Sequence, residues 1–255
     1  MLDAVVLAGG VDRGEMAAET GVAHRPLLEI GGRPLVQRGL AALRGCADVG
    51  RVALVAPEAV QSAVGEASVD LRVEAGDSLA ENLLRGVQAT APGSEAVLVL
   101  TGDLPFVTPQ AIGDLVRQSQ AARAEITYVI IPKEACERRF PGGRRTYVKL
   151  REGTFTGGNA VVIARNFVET QQRLITHLYH ARKSPLRLAM MFGLGFLVRL
   201  AAGRLGLAEL EVRAAAITGA RVAAVISTYP ELGFDVDKLD DLYLARRVAE
   251  SFDSG

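Results

Sequence analysis

Three aspartates stand where a carboxylate can do more than face water. Asp103 follows the apolar run Ala96–Leu100 within Thr101-Gly102-Asp103-Leu104-Pro105, just past the carboxyl end of a predicted buried strand. A bare carboxylate there can hold Mg²⁺, a hard cation that takes oxygen ligands and often bridges protein carboxylates to phosphates. A turn or helix-capping aspartate is the structural alternative. Far along the chain, Gly233-Phe234-Asp235-Val236-Asp237-Lys238 sets two carboxylates at i, i+2. In an extended segment both lie on one side, where they can face one cation. Asp237 could also be an N-cap. Asp240 and Asp241 fall in the first turn of a predicted helix, where they suit its dipole and need no catalytic role.

A second group of residues could bring backbone close to a ligand. The first predicted strand runs into Leu7-Ala8-Gly9-Gly10, and two glycines there permit a sharp turn and a close approach. The loop lacks the third glycine of a dinucleotide fingerprint and the Lys-Ser/Thr of a P-loop, so alone it reads as a tight turn. A polar stretch with Arg13 follows, then Arg25-Pro26-Leu27-Leu28 and Gly31-Gly32-Arg33-Pro34-Leu35. Gly76-Asp77-Ser78 opens a helix on which Ser78 and Asn82 share a face, although Ser78 equally suits a plain N-cap. Arg138, Arg139, Arg144, Arg145, Lys149 and Arg151 form a basic cluster around Pro141-Gly142-Gly143, and charge runs of this kind are usually solvated.

The elements that must position these residues alternate. Strands are predicted at Ala4–Leu7, Arg51–Ala56, Leu71–Glu74, Ala96–Thr101 and Ile126–Ile131, with helices at Pro34–Arg44, Pro57–Val64, Ser78–Thr90 and Pro109–Ala122. Such alternation implies an α/β fold with a parallel sheet covered by helices on both faces. Ligands in such sheets bind beyond the carboxyl ends of the strands, which is where Gly9 and Asp103 fall. Later, Ala160–Ile163 and Arg221–Ile226 read as strands, Lys238–Ser251 as a closing helix, and Asn166–Ala216 as a wholly helical insertion into one α/β domain of 255 residues.

Bulk properties narrow the classes. A hydrophobic fraction of 49% supports a sizeable core, and 23% charged residues fit an ordinary globular chain. Lys+Arg and Asp+Glu both number 29, which argues against a nucleic-acid binder needing a basic excess. Two cysteines without CxxC spacing make a disulfide framework or zinc site a poor fit. The N-terminal MLDAVVLAGG lacks the basic and long apolar regions of a signal peptide, so a cytoplasmic protein is expected.

Taken in order, four segments resemble the MobA-like NTP transferases, a branch of the GT-A-fold nucleotidyltransferases that includes molybdenum-cofactor guanylyltransferases, methylerythritol-phosphate cytidylyltransferases and sugar-1-phosphate nucleotidyltransferases. Leu7-Ala8-Gly9-Gly10 resembles the nucleotide-binding loop, and the Arg25 to Leu35 stretch resembles K-x-L-x-x-x-x-G-[KR]-P-[LM]. Gly102-Asp103-Leu104-Pro105 resembles the metal-binding GD-x-P, and Asp235-Val236-Asp237 with Asp240-Asp241-Leu242 resembles the C-terminal [ND]-x-[DN]-T-P-x-[DE]-L. The resemblance implies a Rossmann-like GT-A fold with a mixed, mostly parallel sheet, and a Mg²⁺-dependent reaction of an NTP with a phosphorylated small-molecule acceptor. It implies that Asp103 and Asp237 hold the metal with Asp235 as a further ligand, and that Arg25 and Arg13 serve the triphosphate. Ser78 and Asn82 then lie by the base and ribose, a similarity that leans toward CTP. Asn159 is implied as an acceptor contact, with Lys149 and Arg145 available for an acceptor phosphate. Arg25 replaces the family's usual lysine, and the glycine loop lacks the usual G-x-G-x-R continuation.

Other readings stay open. Asp235-Val236-Asp237 also reads as the DxD of a GT-A glycosyltransferase, though such a motif normally lies near the chain's middle. A non-catalytic nucleotide-binding regulatory module is the third possibility. Within the insertion, residues 184–210 alternate apolar side chains with Arg187, Arg199 and Arg204, too short and interrupted to span a bilayer. They fit a lid or homodimer element, favoured because apolar helical stripes usually pack on protein, or a peripheral membrane contact.

Overall fold

A computed structural model describes residues 1–11, 14–181 and 191–253. Its centre is an eight-stranded sheet in the order β10-β7-β9-β6-β1-β4-β5, with β8 paired to β9. The strands are β1 (Leu2–Leu7), β4 (Val49–Ala56), β5 (Leu71–Glu74), β6 (Ala96–Thr101), β7 (Ile126–Pro132), β8 (Val148–Leu150), β9 (Gly153–Ala164) and β10 (Val222–Ile226). β1 pairs in parallel with β4 and β6, as do β4 with β5 and β10 with β7. β9 is the exception: it runs antiparallel to β6, β7 and β8, so the sheet is mixed and mostly parallel.

The helices flank this sheet in two layers. In chain order they are α1 (Glu15–Thr20), α2 (Leu35–Arg44), α3 (Glu58–Ser62), α4 (Leu79–Ala89), α5 (Pro109–Ala122), α6 (Lys133–Arg139), α7 (Arg165–Thr170), α8 (Gln172–Ala181), α9 (Leu194–Ala201), α10 (Leu207–Thr218) and α11 (Leu239–Asp253). Side chains of a strand point alternately to its two faces, and β1 shows the consequence. Ala4 and Val6 join the core under α2 and α5 with Leu40, Ile112 and Leu115. Val5, between them, joins the opposite core with Leu83 and Val87 of α4 and Phe167 and Val168 beside them. Both faces are dry, which is why the central strands read as unbroken apolar runs.

Helix starts follow local chemistry. Thr108 caps α5 by accepting from the Ala111 amide, and Pro109 occupies the first helical position, where its missing N–H costs nothing. The hairpin of β2 (Glu29–Ile30) and β3 (Arg33–Pro34) turns through Gly31 and Gly32 at φ 57° and 68°. Both left-handed positions require glycine for an unstrained two-residue turn.

Three sequence expectations are corrected. Lys133–Arg139, given no element in the sequence where Arg138 and Arg139 read as part of a basic cluster, is helix α6, and its buried side is small, only Ala135 and Cys136. The β8–β9 hairpin gives the following residues a sheet edge. The stretch 166–216 is not wholly helical: α9 ends at Ala201 and α10 begins at Leu207. Its helices also attach in two places. α7 and α8 pack on α4, whereas α9 and α10 close a small core with Ile130, Leu150, Phe155 and Leu205. Residues 184–190 lie outside the described residues, and among those described no helix is long and apolar enough to cross a membrane.

Candidate functional site

The floor of the site is a meeting of strand ends. Beyond β1, the Ala8 amide donates to Val55 of β4 at 2.9 Å, and Leu7 accepts from the Gly102 amide at 2.9 Å. A β-carbon on Gly102 would stand 2.7 Å from the Ala8 methyl, so only glycine lets the two strand ends touch. Asp103 is thereby carried to the lip of the sheet, directly beside the Leu7–Gly10 turn.

The second acidic segment is stapled to the first. After a short 3₁₀ turn at Pro230–Gly233 the chain runs extended, and Phe234 and Val236 are 1% and 0% exposed. Phe234 anchors against Phe140 with ring centroids 4.3 Å apart. The Val236 amide donates to the Asp103 carbonyl at 3.2 Å. With the even-numbered residues held inside, Asp235 and Asp237 turn toward Asp103. One carboxylate oxygen from each of the three lies within 4.8 Å of the others. Asp237 is not the cap of α11, which begins at Leu239. Buried Asp241 performs the capping, accepting from the Lys238 and Asp237 amides at 3.1 and 3.3 Å, and burial raises its pKa.

The three carboxylates have different electrostatic surroundings. Arg25, from the 3₁₀ turn Arg25–Leu27, pairs with Asp237. Arg145 binds Asp235 twice, from Nη1 to the carboxylate at 2.6 Å and from Nη2 to the carbonyl at 2.9 Å, while its guanidinium stands over the Phe234 ring. Among the described residues, Asp103 has no such arginine clamp. Burial pushes its carboxyl up to about 6, and the charges of Asp235 and Asp237 add to the effect while Arg25 opposes it. Its Oδ1 is buried and makes no hydrogen bond of regular geometry, although the Thr101 hydroxyl lies near enough to oppose the rise. Three carboxylates with oxygens this close together are a donor set that suits a divalent cation.

Two cavities meet at these aspartates. The larger, about 540 Å³, runs over the Leu7–Gly10 turn between the Gly76–Leu79 turn and Asn82 on one side and Arg25, Asp103, Asp235 and Asp237 on the other. Asn82 accepts from the Gly76 amide at 2.6 Å, and its Nδ2 would be 2.9 Å from a β-carbon on Gly9. The turn and the glycine loop are thus packed against each other. Ser78 caps α4, accepting from the Glu81 amide at 3.1 Å, and also lines the cavity. The smaller cavity, about 280 Å³, is lined by Arg144, Arg145, Thr146, Thr156 and Lys238 and shares Asn159, Asp235 and Asp237 with the first.

The structure therefore gathers Leu7, Ala8, Gly9, Gly10, Arg25, Ser78, Asn82, Gly102, Asp103, Asn159, Asp235 and Asp237 around one cavity. Arg13 lies outside the described residues. Arg145 reaches the smaller cavity, but its guanidinium is engaged by Asp235. Lys149 lines neither cavity. It sits on β8 opposite Thr154, with its stem beside Gly203, because the hairpin turns it toward the α9–α10 side. Sequence reasoning missed Tyr179, Thr146 and Lys238. Thr146 and Lys238 border motif residues, whereas nothing local marks Tyr179, whose place depends on how α8 packs.

Comparison with known proteins agrees with this architecture. The sequence pattern of the MobA-like NTP transferase domain matches residues 4–188. A hypothetical transferase from Thermus thermophilus is 37% identical, superposes with a TM-score of 0.84, and aligns over 94% of this chain and 99% of that one. CMP:2-keto-3-deoxy-manno-octonic acid synthetase complexed with CTP is 15% identical, with a TM-score of 0.63 over 99% of this chain and 100% of that one. The 2-C-methyl-D-erythritol 4-phosphate cytidylyltransferase of Thermus thermophilus is 18% identical, with a TM-score of 0.54 over 98% of this chain and 100% of that one. At those two identities the likeness establishes the fold alone. No curated protein matches the sequence.

Proposed function

The chain belongs to the MobA-like NTP transferase family and is a nucleotidyltransferase, and from that premise we propose a Mg²⁺-dependent transfer of a nucleotidyl group from an NTP to a phosphorylated small-molecule acceptor, with release of pyrophosphate. One observation carries the reading: carboxylate oxygens of Asp103, Asp235 and Asp237 converge within 4.8 Å of one another beside a cleft lined by the Leu7–Gly10 turn. Those three carboxylates would hold the metal. A Mg²⁺ ion held there would supply charge neutralisation and Lewis acidity toward the phosphates.

The remaining work falls to the chain's own residues. In an in-line displacement an acceptor oxygen forms a bond to the α-phosphorus as the bond to pyrophosphate breaks, so the barrier is chiefly positioning and charge. The Leu7–Gly10 backbone lets the nucleotide lie against the sheet, with Ser78 and Asn82 at its base and ribose end. Arg25 is the cation for the triphosphate. A bound triphosphate competes with Asp237 for it, and the planar guanidinium can clamp two phosphate oxygens where lysine would offer a point charge. Arg145 keeps Asp235 oriented. Arg144 and Lys238, beside Asn159 in the smaller cavity, supply positive charge for an acceptor phosphate, a role for which Lys149 is badly placed.

CTP is the favoured donor. Ser78 and Asn82, which resemble cytidylyltransferase segments, both line the larger cavity, and two fold relatives are a CTP complex and a cytidylyltransferase by name. The test is a pyrophosphate-release screen of the four NTPs against pooled phosphorylated metabolites, with Asp103→Ala as control. Pyrophosphate formation that needs both Mg²⁺ and Asp103 supports the reading. Release of a nucleoside diphosphate from a nucleotide sugar would replace it with glycosyl transfer.

A further inference from the structure

Among the described residues that line the larger cavity, Tyr179 is the one aromatic. It comes from α8, outside every candidate site segment singled out in the sequence. Its position follows from packing. Leu174 and Ile175 of α8 press against the core that holds Leu83 and Val87 of α4. Tyr179 is four residues beyond Ile175, on the same face and one turn further along. α4 is the helix whose first turn brings Ser78 and Asn82 to the cavity. Docking α8 on α4 therefore delivers the ring to the cleft that those two residues line. Tyr179 is half-buried and meets the His180 ring edge-on at 5.8 Å between centroids.

The apolar residues that share this lining, Leu7, Ala8, Val11, Pro26 and Leu79, are all aliphatic, so among the described residues Tyr179 supplies its one π face, while the far end is acidic. A heterocyclic base needs a π face or apolar surface to cover it once it leaves water, and aromatic side chains supply this with little dependence on base identity. We propose that Tyr179 covers the nucleobase of the bound nucleoside triphosphate, so that the helical arm contributes affinity for the base while the strand-end motifs handle phosphate and metal. The proposal rests on the functional reading above and adds a residue to it.

The test separates base from phosphate. Calorimetric titrations with Mg²⁺ present would compare wild type, Tyr179→Ala and Tyr179→Phe against each of the four NTPs and against inorganic tripolyphosphate. Loss of one base–aromatic stack weakens nucleotide binding by about 5- to 150-fold. Tyr179→Ala is expected to show that loss for the NTP that wild type prefers, yet bind tripolyphosphate within about twofold of wild type. Tyr179→Phe keeps the ring and should stay close to wild type with both ligands. The proposal is overturned if Tyr179→Ala binds the NTP like wild type, or if it loses tripolyphosphate as much as nucleotide, which would mark a structural role. Wild type that binds none of the four NTPs would sink the functional reading itself, and this inference with it.

Discussion

The two cavities that share Asp235 and Asp237 are built in opposite ways. The floor of the larger one is backbone: strand ends laced by main-chain hydrogen bonds, Gly102 against Ala8, and Gly9 packed on Asn82. The smaller one is made of side chains, and Arg144, its outermost cation, is 88% exposed and meets Asp240 only at 3.8 Å. A surface formed by tightly packed backbone tolerates few residue types, whereas exposed long side chains are loosely constrained. The first cavity can thus serve a ligand part common to many reactions, and the second can change with the acceptor.

The sharpest challenge to this contrast is Asp103→Ala. It removes the carboxylate that, among the described residues, no arginine clamps, and the rate of pyrophosphate release should fall on the order of 10²-fold or more, read from steady-state kinetics at saturating Mg²⁺. An activity within a few-fold of wild type would show that the cation lies elsewhere.

Next in size is Gly102→Ala. The added methyl would meet Ala8 at 2.7 Å, in a place where backbone must move to admit it. We expect a loss of about 2 kcal/mol in urea unfolding, typical of overpacking, together with weaker nucleotide binding. Unchanged stability would mean that the strand ends are looser than the contrast requires.

A smaller effect concerns protons. The folded chain holds the Asp103 proton up to about pH 6, whereas an ordinary aspartate loses it near 3.8. Between those values the folded state binds more protons than the unfolded one, so stability of the metal-free protein falls as pH rises through this window. Discounted for partial exposure, the fall is about 1–2 kcal/mol. Asp103→Asn should abolish it and be more stable than wild type at pH 8 in chelator. A wild-type unfolding profile flat from pH 4 to 7 would contradict the desolvation of Asp103.

The smallest effect is Lys149→Ala. With its stem beside Gly203 and outside both cavities, it should alter acceptor KM less than about twofold. A large rise in KM would return this residue to the acceptor side and enlarge that cavity beyond its present lining.

What the sequence disclosed follows the same division. The i, i+2 spacing of Asp235 and Asp237 and the strand-end position of Asp103 were readable because both depend on local geometry alone. The strand at Leu71–Glu74 and the helix at Pro109–Ala122 have the bounds their patterns predict. Helix α6 escaped because Lys133-Glu134-Ala135-Cys136-Glu137-Arg138-Arg139 has almost no apolar period; it is held by two small buried residues. The clamp of Arg145 on Asp235 and the delivery of Tyr179 join residues far apart in sequence, and no periodicity encodes them.

The hydrogen bond from Val236 to the Asp103 carbonyl has a consequence for how the protein is born. Asp103 leaves the ribosome early, after β1, β4 and β5, but its acidic neighbours emerge only after β10 has been made. A nascent chain interrupted before Phe234 carries Asp103 with neither Asp235 nor Asp237. Premature termination products therefore lack the full carboxylate set, and competence for chemistry arrives only as synthesis nears its finish.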